Sequence, residues 1–140
     1  AKKVAELGLK GEVERFSIKY INLIPGKSFA DQITALNLKL SLGDIAVSNE
    51  QFGIRVEHRE GDILHVISLM TGASGTRPTG EYIEGAVVDI DSICTIAPTP
   101  TATFVASLDQ KLDTLRLENK KKFFGCLTEA TIESMGPIYE

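Results

Sequence analysis

The chain has no tryptophan, only two cysteines and two histidines, and fewer basic than acidic residues. Each shortage removes a class of function. Cys94 and Cys126 lie far apart and in no metal-ligand spacing, which excludes a thiolate zinc site and a disulfide-built scaffold. They are expected as reduced, partly buried thiols of a cytoplasmic protein. Neither has a His or basic neighbour in sequence of the kind that sustains a reactive thiolate. The 15 Lys and Arg against 19 Asp and Glu give a formal charge of −4. A duplex nucleic-acid binder shows the reverse balance, because it must neutralise phosphates. Long apolar runs are also missing, so neither a membrane span nor a secretory leader is expected.

What remains is a chain of 140 residues, 43% hydrophobic and 24% charged, enough for one domain with its own core. The start, Ala1-Lys2-Lys3-Val4-Ala5-Glu6-Leu7, reads as the tail of a helix or a linker. The chain is therefore expected to be the C-terminal part of a longer protein, although a processed start would read the same way.

Hydrophobic periodicity places the elements. Phe16, Ile18 and Tyr20 alternate with Arg15, Ser17 and Lys19, the pattern of a half-buried strand with a polar outer face. Pro25-Gly26-Lys27-Ser28 is a turn, after which Ser28 caps a short helix over Phe29–Thr34 with Asp31 in its first turn. Leu36, Leu38, Leu40 and Leu42 alternate with polar residues and predict a second strand. Phe52–Glu57 and Ile63–Met70 predict a third and a fourth, joined as a hairpin through Arg59-Glu60-Gly61-Asp62. Thr71–Tyr82, rich in Gly and Ser, reads as a long loop. Ala86–Cys94 is apolar enough to be a central strand, and Ala97-Pro98-Thr99-Pro100-Thr101 a stiff connector. Leu108, Leu112, Leu115, Phe123 and Leu127 then fall on one helical stripe, with position 119 in register and polar. Ser107 and Gln110 have capping-box spacing, a kink or break is an option near Gly125 or Thr128, and Gly136-Pro137 stops the helix. The fold class is α+β: a mostly antiparallel sheet of about five strands, a short helix after strand 1, and a long C-terminal helix packed on one sheet face.

Candidate chemistry is sparse. Asp89 and Asp91, one residue apart on a strand, point the same way and would offer carboxylate oxygens to Mg²⁺ or Mn²⁺, with Glu81 and Glu84 near in sequence. The competing reading is ion pairing with Lys19 or Arg55 on neighbouring strands. His58 and His65 flank the hairpin turn and would meet across it, but a general base at His65 has no evident nucleophile. Thr71–Arg77 would cradle an anion with open amides and Arg77, without the ending of a P-loop. Lys120-Lys121-Lys122 is a basic run that would equally form a solvated helix face.

Three segments together resemble a known family: Arg15-Phe16-Ser17-Ile18-Lys19-Tyr20-Ile21-Asn22-Leu23-Ile24, then Val87-Val88-Asp89-Ile90-Asp91, then Leu108–Asp113 with Phe123-Phe124 and Leu127-Thr128-Glu129. Their order and spacing resemble the C-terminal half of an uncharacterised family of sporadically distributed prokaryotic proteins. Lys19 stands where that family's pattern prefers Arg. The resemblance implies a further N-terminal domain, and it brings no activity and no catalytic residue. The resulting expectation is a non-catalytic binding or assembly domain that forms a homo-oligomer, needs no cofactor and touches no membrane. The alternatives are a divalent-metal-dependent hydrolase or phosphoryl-transfer site at Asp89 and Asp91, and RNA or nucleotide binding through Arg15, Lys19 and Arg77.

Overall fold

A computed structural model describes residues 11–136. Four strands form one antiparallel sheet: β1 (Glu12–Pro25), β2 (Gly53–Glu60), β3 (Ile63–Thr76) and β4 (Tyr82–Pro100), in the order β1-β4-β3-β2. Among the described residues four α-helices accompany them, α1 (Phe29–Thr34), α2 (Thr101–Ala106), α3 (Leu108–Gly125) and α4 (Glu129–Met135), with a short 3-10 helix at Val47–Asn49. The expected α+β class, antiparallel sheet and helix packed on it are present, with four strands in place of about five.

The missing strand is Leu36–Leu42. Its alternation is strand-like, but it makes only isolated bridges, Leu36 to Leu127 and Leu42 to Ile45 across a tight turn. Leu36 is buried in the core, whereas Leu40 and Leu42 point outward. An alternating pattern makes a strand only where a partner supplies the ladder, and here none does. The bridge to Leu127 also explains why the predicted long helix is two. Leu127 leaves the helical path to meet Leu36, and Thr128 restarts the chain as the N-cap of α4, its Oγ1 accepting from Thr131 N at 3.2 Å.

Two segments expected as loops are strand. β3 runs on to Thr76 through a bulge: Met70 pairs with Val87 and Ala73 with Gly85, so Thr71 and Gly72 together oppose Ala86. Gly72 takes φ +75°, which only glycine adopts cheaply. β4 likewise continues to Pro100. Between Val13↔Thr99 and Arg15↔Thr95, Ile96, Ala97 and Pro98 bulge against Glu14 alone. That bulge accommodates Pro98, which has no N–H for a ladder. At Ser107 the expected capping box is absent. α2 runs almost directly into α3, Ser107 sits at ψ 14°, and its Oγ accepts from Lys111 Nζ at 2.9 Å without capping a backbone amide. Ser28 does cap α1, accepting from Asp31 N at 3.1 Å.

Cross-strand partners share a face. Ile24, Ala86, Val88, Ile90 and Leu69 lie on one face and form the core with Leu36, Phe123 and Leu127. Phe16, on the same face, packs its ring at a tilt of 57° against Phe104 of α2, centroids 5.3 Å apart. The opposite face carries Lys19, Asp91, Val66 and Glu57 in one row and Ile21, Asp89, Ser68 and Arg55 in the next. None of these side chains belongs to the core cluster.

Candidate functional site

The most chemically loaded point of the helix-covered face is a buried polar chain. The β2–β3 hairpin sets His58 opposite His65, and the β3–β4 register sets His65 opposite Ser92. The helical stripe of α3 brings Asn119 down between Leu115 and Phe123 onto the same spot. His65, Ser92 and Asn119 are each at most 1% exposed. Asn119 Nδ2 donates to Ile90 O at 3.0 Å and to Ser92 Oγ at 2.8 Å, and Ser92 Oγ lies 2.7 Å from His65 Nδ1. The donor count gives the Asn119 bonds a direction. A carbonyl can only accept, so the Asn119 nitrogen must face Ile90 O, and its second hydrogen goes to Ser92. The bond between Ser92 Oγ and His65 Nδ1 takes its direction from the imidazole tautomer, and the ring's other nitrogen is Nε2. That Nε2 is buried with no hydrogen-bond partner.

A serine at 2.7 Å from a histidine is the nucleophile partner that the sequence did not reveal for His65. The two are 27 positions apart and meet only through sheet register. The pair is nonetheless unsuited to catalysis, because both groups are fully buried and closed to substrate. Its effect is to lock α3 onto the sheet in one register, since any shift would strand buried donors.

Burial pushes the His65 imidazole below its usual range, with Lys122 reinforcing the effect and Glu60 opposing it. The charged and titratable groups that bear on it are His58 and Glu60 from β2 and Lys122 and Glu118 from α3. Below about pH 6.5 the unfolded chain binds a proton that folded His65 resists. Stability is thus full above that pH and falls as pH drops toward the depressed native value, by up to about 1.4 kcal/mol per pH unit. Urea midpoints at pH 7.5 and 5.5 should show the fall, and should still show it in His58→Gln. Equal midpoints would contradict a neutral buried His65. His58 itself is half-exposed, its ring stacked 6.5 Å from that of His65 and its Nε2 3.6 Å from Glu60.

The uncovered face holds the aspartates. Asp89 and Asp91 do lie side by side, and Lys19 Nζ stands 3.4 Å from Asp89 Oδ2. Arg55 pairs instead with Glu57 at 3.2 Å. Asp91 Oδ1 is shielded and has no hydrogen-bond partner. Among the described residues no three His, Cys, Asp or Glu side chains are grouped to hold a metal. Glu81 is drawn away to Arg77, at 3.1 Å.

The other sequence candidates separate in space. Arg15 and Lys19 share the uncovered face on β1, opposite Thr95 and Asp91. Arg77 sits beyond the far end of β3, past the Thr76↔Tyr82 pair. Counted along β4, that puts Arg77 roughly 30 Å from Lys19 at about 3.4 Å per residue, so the three do not form one patch. Thr71–Arg77 is no open anion cradle. Gly72 N donates to Gln32 Oε1 at 2.6 Å, and Ser74 to Thr76 pair with β4. The three lysines of α3 are also engaged: Lys122 with Glu60 at 2.7 Å, Lys121 with Glu118 at 3.1 Å, and Lys120 over the Phe124 ring at 5.7 Å. Both cysteines are free, and burial raises both thiols, which keeps them protonated at neutral pH.

Gln32 was not foreseen. It is 2% exposed, and besides accepting from Gly72 it donates through Nε2 to Gly26 O at 3.0 Å, clamping the β3 bulge to the turn after β1. The only hint in sequence is a long polar side chain in the middle of a six-residue helix. No helix among the described residues is long and apolar enough to cross a membrane. No protein-family profile, no curated protein and no solved structure matches the chain.

Proposed function

We propose that this chain is a non-catalytic assembly domain that associates with a second copy of itself through the uncovered face of the sheet. The observation that supports this most is the make-up of that face. An antiparallel sheet with one face to water commonly alternates to polar residues on that side. Here Leu64, Val66, Met70, Val87, Ile93 and Ile21 stand there, half-buried or exposed, and among the described residues none of them belongs to the core cluster. Ile21 is 65% and Met70 46% exposed.

A second copy is favoured over a strongly charged partner because the face is close to neutral. Arg15, Lys19, Arg55 and Arg59 exceed Asp89, Asp91 and Glu57 by one charge, whereas the whole chain is at −4. Two such faces, each with both signs interspersed, would meet with little net repulsion, as in a β-sandwich. Four strands about 4.8 Å apart and some seven paired positions give about 450 Å² of projected face per copy, the low end of specific interfaces. The dimer should therefore be reversible.

Val66→Lys tests it. The new ammonium would lie between Asp91 and Glu57, which the folded monomer tolerates. Sedimentation across micromolar concentrations should show a monomer–dimer equilibrium for the parent chain and a dissociation constant at least about tenfold weaker for the variant. A parent chain that stays monomeric throughout that range would remove the reading. The resemblance to an uncharacterised prokaryotic family is compatible with this role and supplies no activity of its own.

A further inference from the structure

The clamp made by Gln32 has a second side. Above it lies a cavity of about 430 Å³, bounded by the turn after β1, the first residues of α1, the β3 bulge and the start of β4. That volume suits one small molecule. Its floor is rigid for a reason already visible in the bonds. The Gln32 amide is held at both ends, by Gly72 N and by Gly26 O. The bare Cα of Gly72 lets the Gln51 side chain close in, since a Cβ there would stand 2.8 Å from the Gln51 carboxamide carbon.

The walls carry complementary chemistry that the fold does not use. Lys27 and Glu84 both line the cavity, and among the described residues neither makes an ion pair or a side-chain hydrogen bond. Their charged atoms are more than 4.0 Å apart, so the two do not pair with each other. Tyr82, 64% exposed, and Phe29 add aromatic surface to the same cavity. One cation, one anion not paired with it and aromatic surface form a three-point arrangement.

We infer that this cavity binds a small zwitterion of the α-amino-acid class, with Lys27 receiving the carboxylate, Glu84 the ammonium group, and Tyr82 and Phe29 the side chain. Each charged end would form a charge-assisted hydrogen bond at a partly enclosed rim, and neither end alone satisfies both walls. The site lies at the turn end of the sheet and does not depend on self-association.

The test is an NMR titration of the full chain, following the Gly72 amide and the Tyr82 ring. L-Phenylalanine is the probe. 3-Phenylpropanoate lacks the ammonium group, and phenethylamine lacks the carboxylate. L-Phenylalanine should shift both reporters saturably, and each analogue should bind about tenfold or more weakly. Lys27→Ala should abolish the preference over phenethylamine, and Glu84→Ala the preference over 3-phenylpropanoate. Both positions are exposed, so each variant should keep the parent's amide pattern elsewhere. The inference is overturned if the amino acid gives no saturable shift at millimolar concentration. It is equally overturned if the two analogues bind as well as the amino acid, or if both variants bind like the parent.

Discussion

Gly85→Ala is expected to be the most damaging single methyl group that can be added to this sheet. A Cβ at that position would overlap the Ile24 carbonyl oxygen and stand 2.8 Å from its carbon and 3.1 Å from Pro25 Cα. All three are backbone atoms, so no side chain can swing aside. β1 and β4 would have to part where Pro25 pairs with Gly85 and Gly26 N donates to Glu84 O at 2.9 Å. The loss should be about 3 kcal/mol or more. At about 3 °C per kcal/mol for a domain of this size, the melting point should drop by roughly 10 °C. Gly75→Ala is the control, because its Cβ would meet only the flexible Leu23 side chain, at 3.3 Å. Thermal unfolding followed by circular dichroism reads both. Equal melting points for Gly85→Ala and the parent would mean that the two strands do not approach so closely.

Asn119→Leu should cost nearly as much for a different reason. Leucine fills a similar volume on the buried stripe of α3 but offers no donor. Ile90 O and Ser92 Oγ would each lose a bond, of 3.0 and 2.8 Å, where water cannot replace it. Stranding buried polar groups in this way costs about 3 kcal/mol. Ser92→Ala removes the shared member of the chain, so the double variant should be less destabilised than the sum by about 1 kcal/mol or more. Urea unfolding of the four proteins measures that coupling. Strict additivity would show that His65, Ser92 and Asn119 do not act as one unit.

Much of the frame was legible because it is local. The alternation through Arg15–Tyr20, the hairpin that faces His58 with His65, the Ser28 cap and the stripe of Leu115, position 119 and Phe123 all follow from spacing of a few residues. The aspartate pair on one face was legible for the same reason, and so was Lys19 as its partner. What stayed hidden depends on elements distant in sequence. Leu36–Leu42 has the pattern of a strand and lacks a neighbour, while Gly72–Thr76 has the composition of a loop and is held in a ladder by β4. The Ser92–His65 contact, the burial of Gln32 and the Lys27–Glu84 cavity each require register that no local pattern encodes.

The strand order has a consequence for how the chain reaches this state. β2, β3 and β4 follow one another through short turns and can zip as a meander within a local stretch. β1 meets β4 across about half the length of the chain, as in the Lys19↔Asp91 pair. Closing that long loop costs entropy before any contact rewards it, so β1 should dock last and its pairing should limit the folding rate. Until it does, the edge of β4 is open to the β1 of any other chain. Refolding at high concentration should therefore go wrong in one characteristic way, by exchange of the first strand between molecules.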